Sequence, residues 1–358
     1  MNNDKAVTSS KILYNAIMEL KSFEQAQSVL ESLEKILFKN NKIEIFEKYT
    51  YALKYMLNIS EHEKQREICL NKINDLINKK LLTIENPYAV EMFANIAYIY
   101  HEMSNYTKAL MYFQKALSIS KKIPNNDDIS IAALYNDIGR VYNDMCNYDT
   151  ALEFYQKALE INEKVLNMEH PNTAATYNNI ASVYQDMGDY NTALNFYQKA
   201  LEINEKYLSK GHPDTADTYN NIALVYQYMC NYYTALNFYQ KALEINEKVL
   251  GMAHPYTATT YNNIASVYQD MGDYNTALNF YQKALIIREK VLGMEHPCTA
   301  TTYNNIGIVH LKFENYPTAL TYLNKAYTIF IKTLGKDHKS TNTTAKTIEE
   351  TKQKLQNS

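Results

Sequence analysis

The 358-residue sequence contains no tryptophan and little glycine or proline, with eight glycines and seven prolines in total. Because turns draw heavily on these two residues, their scarcity leaves little turn material for a β-rich protein. It favours an all-α chain whose helices are joined by short connections. Hydrophobic residues make up 46% of the chain, which is ordinary and sufficient to build a core.

The sequence also lacks a large net charge and any long apolar run. A net charge of −3 gives no broad basic surface for nucleic acid or acidic lipid, so we expect neither nucleic acid nor membrane as a partner. The N-terminus does not combine a basic start with an apolar stretch, as a secretory signal would. These absences favour a cytoplasmic protein.

Motifs for catalysis and for metal binding are missing as well. The four cysteines, Cys69, Cys146, Cys230 and Cys298, lack the close-pair spacing of zinc sites and redox motifs. The sequence has no glycine-rich phosphate loop, no HExxH helix and no nucleophile elbow. We therefore expect a protein that is not an enzyme and needs neither metal nor cofactor.

The dominant positive feature is an internal repeat with a period of 42 residues. His-Pro pairs begin at His170, His212, His254 and His296, and His338 continues the series with lysine in place of proline. Repetition at a fixed period of this length is typical of stacked repeat architectures. In this register the sequence predicts six repeats, at residues 90–131, 132–173, 174–215, 216–257, 258–299 and 300–341.

Each repeat has the pattern of a helical hairpin. In the third repeat, Tyr177, Ile180 and Tyr184 recur at helical spacing and define the apolar side of a first helix. Gly188 follows as a helix terminator, and Asp189 stands where it can cap the next helix. The apolar side of that second helix consists of Ala193, Leu194, Tyr197, Ala200 and Leu201.

Neither helix of a hairpin can bury its apolar side alone, so we expect neighbouring hairpins to stack. Residues 342–358 predict a polar C-terminal capping helix with Ile348 and Leu355 as its apolar anchors. Residues 1–86 predict an N-terminal helical region without the repeat signature. The sequence leaves open whether that region holds degenerate repeats or a separate bundle.

The spacing of aromatic, aliphatic and small residues within each repeat resembles that of the tetratricopeptide family. Tyr177 stands where the family usually has tryptophan. The long period, the TYNNIA and YQKAL segments and the sequence EKVLGMEHP at 289–297 are similar to the kinesin light chain subclass. The resemblance implies a right-handed α-solenoid of six hairpins whose first helices line a concave, peptide-binding groove.

Several polar columns fall on the predicted groove, because each occupies one position of the first helix in successive repeats. Carboxamides there can both donate to and accept from a peptide backbone. The first column is Asn136, Asn178, Asn220, Asn262 and Asn304, the second includes Asn179, Asn221, Asn263 and Asn305, and further groove residues are Gln185, Gln227, Gln269 and Arg140. An alternative is that one asparagine column bonds between neighbouring helices and fixes their curvature.

The fourth repeat differs from the others at two groove positions. Leu224 and Tyr228 are one helical turn apart and predict an apolar spot in a polar groove, although neutral drift would also explain them. Aspartates at 144, 186, 217 and 270 outnumber Arg140 and Lys312 at the predicted groove positions. We therefore expect a protein or peptide ligand that is neutral to weakly basic.

These features favour a non-catalytic scaffold or adaptor that binds an extended or helical peptide. A second possibility is a regulatory sensor in which peptide binding acts through residues 1–86. A third is a structural solenoid that self-associates, because nearly identical repeats with weak caps can stack end to end.

Overall fold

The structure is a computed structural model that describes residues 27–28, 31, 71, 87–102, 104–123, 128–166, 170–208, 211–336 and 338–357. All regular structure in these ranges is helical. The chain divides into two compact units, at residues 1–168 and 169–358. The predicted N-terminal helical region lies outside the described residues, apart from residues 27, 28, 31 and 71.

The first unit contains two helical hairpins in its described part. Its helices are α1 (Pro87–Glu102), α2 (Tyr106–Ser120), α3 (Asp128–Asp144) and α4 (Tyr148–Val165). Helix α1 packs against α2, α3 packs against α4, and α2 joins the two hairpins by packing against α3.

The second unit continues the same pattern through four further hairpins and a final helix. Its helices are α5 (Pro171–Asp186), α6 (Tyr190–Tyr207), α7 (Pro213–Tyr228), α8 (Tyr232–Val249), α9 (Pro255–Asp270), α10 (Tyr274–Val291), α11 (Pro297–Lys312), α12 (Tyr316–Leu334) and α13 (Lys339–Gln356). Each helix packs against the next one in sequence. The all-helical architecture of stacked hairpins expected from the sequence is confirmed.

The turn inside each hairpin follows the expected chemistry. Gly188 has a φ of 82° and ends α5 in the left-handed region, which glycine adopts without a side-chain clash. Asp189 then caps α6 by accepting a hydrogen bond from the Thr192 backbone N–H at 3.1 Å. Cys230 takes the glycine position in the next hairpin with a φ of 58°. A tight turn therefore accounts for its place in the repeat.

Histidine caps the first helix of each hairpin in the second unit, a role that the sequence did not reveal. The Nδ1 atom of His212 accepts a hydrogen bond from the Asp214 backbone N–H at 3.2 Å, and Pro213 occupies the first helical position. The same cap is formed at His170, His254, His296 and His338. The repeated His-Pro pair is thus a helix start signal.

Tyrosine and alanine fill the junctions between helices. Tyr197, Tyr239 and Tyr281 are almost completely buried, and the alanines of both helices are fully buried beside them. This matches the expected alternation of large and small residues. In α13 only one of the two predicted anchors is in the core, since Ile348 is buried whereas Leu355 is 40% exposed. The prediction for Leu355 was wrong because it lies in the last turn of the helix.

Candidate functional site

The first helices of neighbouring hairpins lie side by side in the second unit, where α5 contacts α7 and α7 contacts α9. Five repeat positions of these helices define one surface, which we call the first-helix face. In α5 the positions are Asn178, Asn179, Ser182, Gln185 and Asp186, and their equivalents follow at steps of 42 residues. This face holds most of the residues that the sequence assigns to a binding groove.

The first asparagine column is engaged between hairpins. Each of three asparagines shares a hydrogen bond with a threonine of the following first helix. The bonds join Asn178 to Thr218 at 3.0 Å, Asn220 to Thr260 at 3.4 Å and Asn304 to Thr344 at 3.0 Å. The alternative in which an asparagine column links neighbouring helices therefore describes the geometry of this column.

The second asparagine column has a different environment. Asn179, Asn221 and Asn263 are partly exposed, and their side chains form no hydrogen bond within the described part of the chain. Asn305 differs, because its Nδ2 atom donates to Oδ1 of Asn262 at 3.3 Å. Three carboxamides of this column thus keep both their donors and their acceptors available.

The glutamines of the first-helix face contact tyrosines of their own hairpin. The Tyr197 hydroxyl donates to Oε1 of Gln185 at 3.3 Å, and equivalent bonds join Tyr239 to Gln227 and Tyr281 to Gln269. Burial raises the pKa of each of these tyrosines well above its usual range. The phenols therefore remain protonated donors. The Oε1 atom of each glutamine is used in this bond within the hairpin.

Gln227 is further committed to the neighbouring hairpin. Its Nε2 atom donates to the Ser266 hydroxyl at 3.0 Å and to Oδ2 of Asp270 at 2.6 Å, and its side chain is buried. All of these partners belong to α8 or α9. Gln227 therefore holds three helices together and positions the Asp270 carboxylate.

Asn136 and Arg140 lie on α3 of the first unit. Asn136 is partly buried, whereas Arg140 is exposed. The Arg140 guanidinium approaches Asp137 within 3.5 Å and lies 5.4 Å from the centre of the Tyr98 ring. The Tyr98 hydroxyl donates to the same carboxylate at 2.5 Å. The cation predicted for the groove therefore already has a carboxylate and an aromatic partner.

Leu224 and Tyr228 lie one turn apart on α7, as the sequence predicts. Tyr228 is 53% exposed, and its ring stacks on that of Tyr190 with centroids 5.9 Å apart. Leu224 is partly buried. Burial, followed by the charge of Asp186, raises the pKa of Tyr228. The first-helix face therefore carries one exposed aromatic ring beside an aspartate.

A threonine column at these junctions was missed by sequence reasoning. Thr218 accepts a hydrogen bond from Nδ2 of Asn204 in α6 at 3.2 Å, in addition to its bond with Asn178. The next junction repeats this bond between Asn246 and Thr260 at 3.2 Å. The available signal was the recurrence of threonine every 42 residues, at 176, 218, 260, 302 and 344.

A second repeated bond links tyrosine and glutamate across each of these junctions. The Tyr219 hydroxyl donates to Glu205, and Tyr261 donates to Glu247 in the same way at 2.5 Å. Hydrogen bonding to a carboxylate adds to burial in raising the pKa of Tyr261 to about 12. Helices α7 and α9 are therefore each bonded to both helices of the preceding hairpin.

Arg288 departs from the repeat, since asparagine occupies its position in α4, α6 and α8. Its side chain is only 5% exposed. The guanidinium donates to the Cys298 carbonyl at 2.9 Å, to the Thr302 hydroxyl at 2.8 Å and to the Thr259 hydroxyl at 3.2 Å. Burial lowers its pKa. Arg288 thus joins α9, α10 and α11 through neutral oxygen atoms.

The described residues contain no group of three or more histidine, cysteine, aspartate or glutamate side chains placed to hold a metal ion. In the same ranges, none of the helices combines the length and apolarity needed to cross a membrane. The isolated His310 stacks on Tyr322 at 5.8 Å, and burial lowers its pKa.

Comparison with solved structures supports the architecture. The fold is similar to BtubC (BKLC) from P. vanneervenii, with 19% identity, 78% of this chain and 92% of that chain covered, and a TM-score of 0.50. It is similar to a Rap protein in complex with Competence and Sporulation Factor, with 15% identity, 99% of both chains covered and a TM-score of 0.56. No curated protein sequence matches the chain.

Similarity also extends to a protein from Podosopora anserina described as a kinesin light chain with nearly identical TPR-like repeats. It has 21% identity, coverage of 58% of this chain and 98% of that chain, and a TM-score of 0.49. At their identities, the comparisons with BtubC and the Rap protein show the fold alone. The finer resemblance to the kinesin light chain subclass stays a prediction.

Sequence comparison gives the family directly. The tetratricopeptide repeat model matches five overlapping segments, at residues 88–164, 130–206, 172–248, 214–290 and 256–332. Their starts are separated by the 42-residue period found in the sequence. The matched region runs from residue 88 to residue 332, which is more than half of the chain. The chain therefore belongs to the tetratricopeptide repeat family.

Proposed function

We propose that this chain is a non-catalytic scaffold that binds an extended peptide segment of a partner protein on the first-helix face. The observation that carries the proposal is the second asparagine column. Asn179, Asn221 and Asn263 recur at steps of 42 residues, and their carboxamides form no hydrogen bond in the described residues. Stacked repeats present extended surfaces that suit such a ligand.

A peptide backbone is the ligand that best matches these side chains. Each carboxamide offers two N–H donors and a carbonyl acceptor, and an extended peptide presents both kinds of group along its length. A bond to the backbone does not depend on the peptide side chain. One asparagine per hairpin would therefore follow an extended segment with little demand on its sequence.

The charge of the face favours a neutral to weakly basic peptide. Asp186 and Asp270 lie on this face, and Lys312 occupies the equivalent position in α11. Electrostatic complementarity contributes mainly to partner choice and association rate. We therefore expect acidic segments to be disfavoured.

A comparison of the two asparagine columns tests the proposal. A random nine-residue peptide library displayed on phage is selected against the immobilised full chain, and an enriched peptide is synthesised with a fluorescent label. Changing Asn179, Asn221 and Asn263 together to alanine removes the proposed ligand contacts. We expect peptide affinity to fall tenfold or more, because each lost hydrogen bond contributes about 0.5–1.5 kcal/mol.

The matched control changes Asn178, Asn220 and Asn262, which bond between helices, to alanine. This variant should unfold at lower urea concentration, whereas the second-column variant should keep its helicity and unfolding midpoint. The proposal fails if no library peptide binds the chain. It also fails if the second-column variant binds with unchanged affinity.

A further inference from the structure

We propose that the peptide bound by this chain carries a lysine or arginine side chain that seats on the Tyr228 ring between Asp186 and Asp270. This inference rests on the proposed function and names the side chain that the first-helix face selects. It is carried by the position, exposure and charge of these three residues.

The three residues occupy one repeat position in three consecutive first helices. Asp186 belongs to α5, Tyr228 to α7 and Asp270 to α9, with 42 residues between each pair. Helix α7 contacts both of the other helices. The aromatic ring is therefore flanked by a carboxylate on each side along the array.

The ring is held in place and open to a ligand. Tyr228 stacks on Tyr190 with an angle of 24° between the ring planes, yet remains 53% exposed. One side of the ring is supported by this contact, so binding requires little further ordering of the side chain. Leu224, one turn earlier, provides an apolar surface for the methylene groups of a long side chain.

The two carboxylates give this spot its charge preference. The Asp270 carboxylate is fixed by Nε2 of Gln227 at 2.6 Å, and Gln227 directly precedes Tyr228. No lysine or arginine among the described residues forms an ion pair with Asp270. Asp186 acts on Tyr228 electrostatically, since its charge contributes to the raised pKa of the phenol.

A cationic side chain satisfies both features of the spot together. The face of an aromatic ring attracts a cation within about 6 Å of its centre, and nearby carboxylates add charge-assisted hydrogen bonds. A purely apolar side chain would use the ring but would not complement the negative charge of the two carboxylates. An acidic side chain would be repelled by them.

The test uses the peptides enriched from the random nine-residue library on the full chain. We expect lysine or arginine at one fixed position of the enriched sequences. A labelled peptide is then compared with the same peptide in which arginine is replaced by citrulline, or lysine by norleucine, in a fluorescence anisotropy titration. Loss of the positive charge should weaken binding to the unmodified chain at least tenfold.

Variants of the spot locate the effect. In the double variant Asp186→Asn with Asp270→Asn, the charged peptide and its neutral analogue should differ in affinity by less than twofold. Tyr228→Leu should also reduce this affinity difference, while keeping an apolar contact with Tyr190. Two matched controls lie on second helices, where Tyr233 is 81% exposed and Glu244 is exposed. Tyr233→Leu and Glu244→Gln should leave the tenfold difference unchanged.

The outcomes separate this inference from the proposed function. If enriched peptides lose affinity when Asn179, Asn221 and Asn263 are changed, but not when the cation is neutralised, the inference is overturned and the proposed function stands. Enrichment of an apolar side chain in place of the cation would likewise overturn it. Failure of every library peptide to bind would overturn both.

Discussion

The Nδ2 atom of Asn178 donates a hydrogen bond to the Thr218 hydroxyl at 3.0 Å and so joins the first helices of two successive hairpins. Thr218 also accepts from Asn204 at 3.2 Å and donates to the Asp214 carbonyl at 2.9 Å. A single buried hydroxyl therefore serves both helices of the preceding hairpin.

Replacing Thr218 by valine should destabilise this junction. The substitution keeps the branched shape but removes the hydroxyl that accepts hydrogen bonds from the Asn178 and Asn204 carboxamides. An unsatisfied buried group costs about 1–3 kcal/mol. We expect a lower midpoint of urea unfolding, measured by circular dichroism. Thr301→Val is the control, because the exposed Thr301 hydroxyl bonds, within the described residues, only to the Pro297 carbonyl of its own helix. Equal effects of the two changes would contradict the prediction.

Replacing Arg288 by alanine should destabilise the chain, whereas replacing it by asparagine should not. Arg288→Ala removes the donor that serves Cys298, Thr302 and Thr259, and we expect a loss of about 3 kcal/mol in unfolding free energy. Arg288→Asn restores the residue of the preceding repeats, which can donate to Thr302 without a buried charge. Its stability should stay within about 1 kcal/mol of the unmodified chain. Equal destabilisation of both variants in chemical denaturation would refute this account.

The His296 cap predicts a dependence of stability on pH. Burial and then the charge of Arg288 lower the pKa of His296 in the folded chain. The neutral His296 ring makes its full contribution to folding stability above the ordinary histidine pKa, near 6.5. This contribution is lost as pH falls through the lower pKa that His296 has in the folded chain. His296→Asn keeps a capping side chain that does not titrate.

Urea unfolding at pH 8 and pH 5 checks the His296 prediction. We expect the unmodified chain to lose more stability than His296→Asn between these two values. The two proteins should have similar stability at pH 8, where the ring is neutral in both states. If the two proteins differed in unfolding free energy by the same amount at both pH values, His296 would not be the source of the pH dependence.

Substitutions at two equivalent hairpin turns should change stability in opposite directions. Cys230 has a φ of 58°, a conformation that costs an L-residue roughly 1–2 kcal/mol and glycine much less. Cys230→Gly should therefore raise the unfolding free energy by about 1 kcal/mol. Gly188→Ala, at the equivalent turn with a φ of 82°, should lower it by a similar amount. Thermal unfolding would contradict the prediction if both variants shifted in the same direction.

The fold could be predicted from the sequence because its signals are local and repeated. Gly188 and Asp189 mark the turn and the cap within two residues, and Tyr177, Ile180 and Tyr184 give the helical period directly. Each signal also recurs in neighbouring repeats. The error at Leu355 arose because this residue lies in the last turn of α13, where its side chain is 40% exposed.

The candidate site was less predictable because its bonding partners are distant in sequence. Asn178 and Asn179 are adjacent and identical in type, yet only Asn178 faces a threonine, which lies 40 residues further along the chain. Sequence alone does not show which of two neighbouring carboxamides meets that hydroxyl. His212 was recognised as a repeat marker, but its capping bond depends on a ring orientation that composition does not reveal.

The repeated junction bonds have a consequence for how the gene for such a chain can change. Asn204–Thr218 and Tyr219–Glu205 at one junction are matched by Asn246–Thr260 and Tyr261–Glu247 at the next. Removal of residues 213–254 would therefore bring Asn204 and Glu205 opposite Thr260 and Tyr261 with the same chemistry. We expect this shortened chain to fold with cooperative unfolding, so that recombination between repeats can alter the length of the array without creating a mismatched interface.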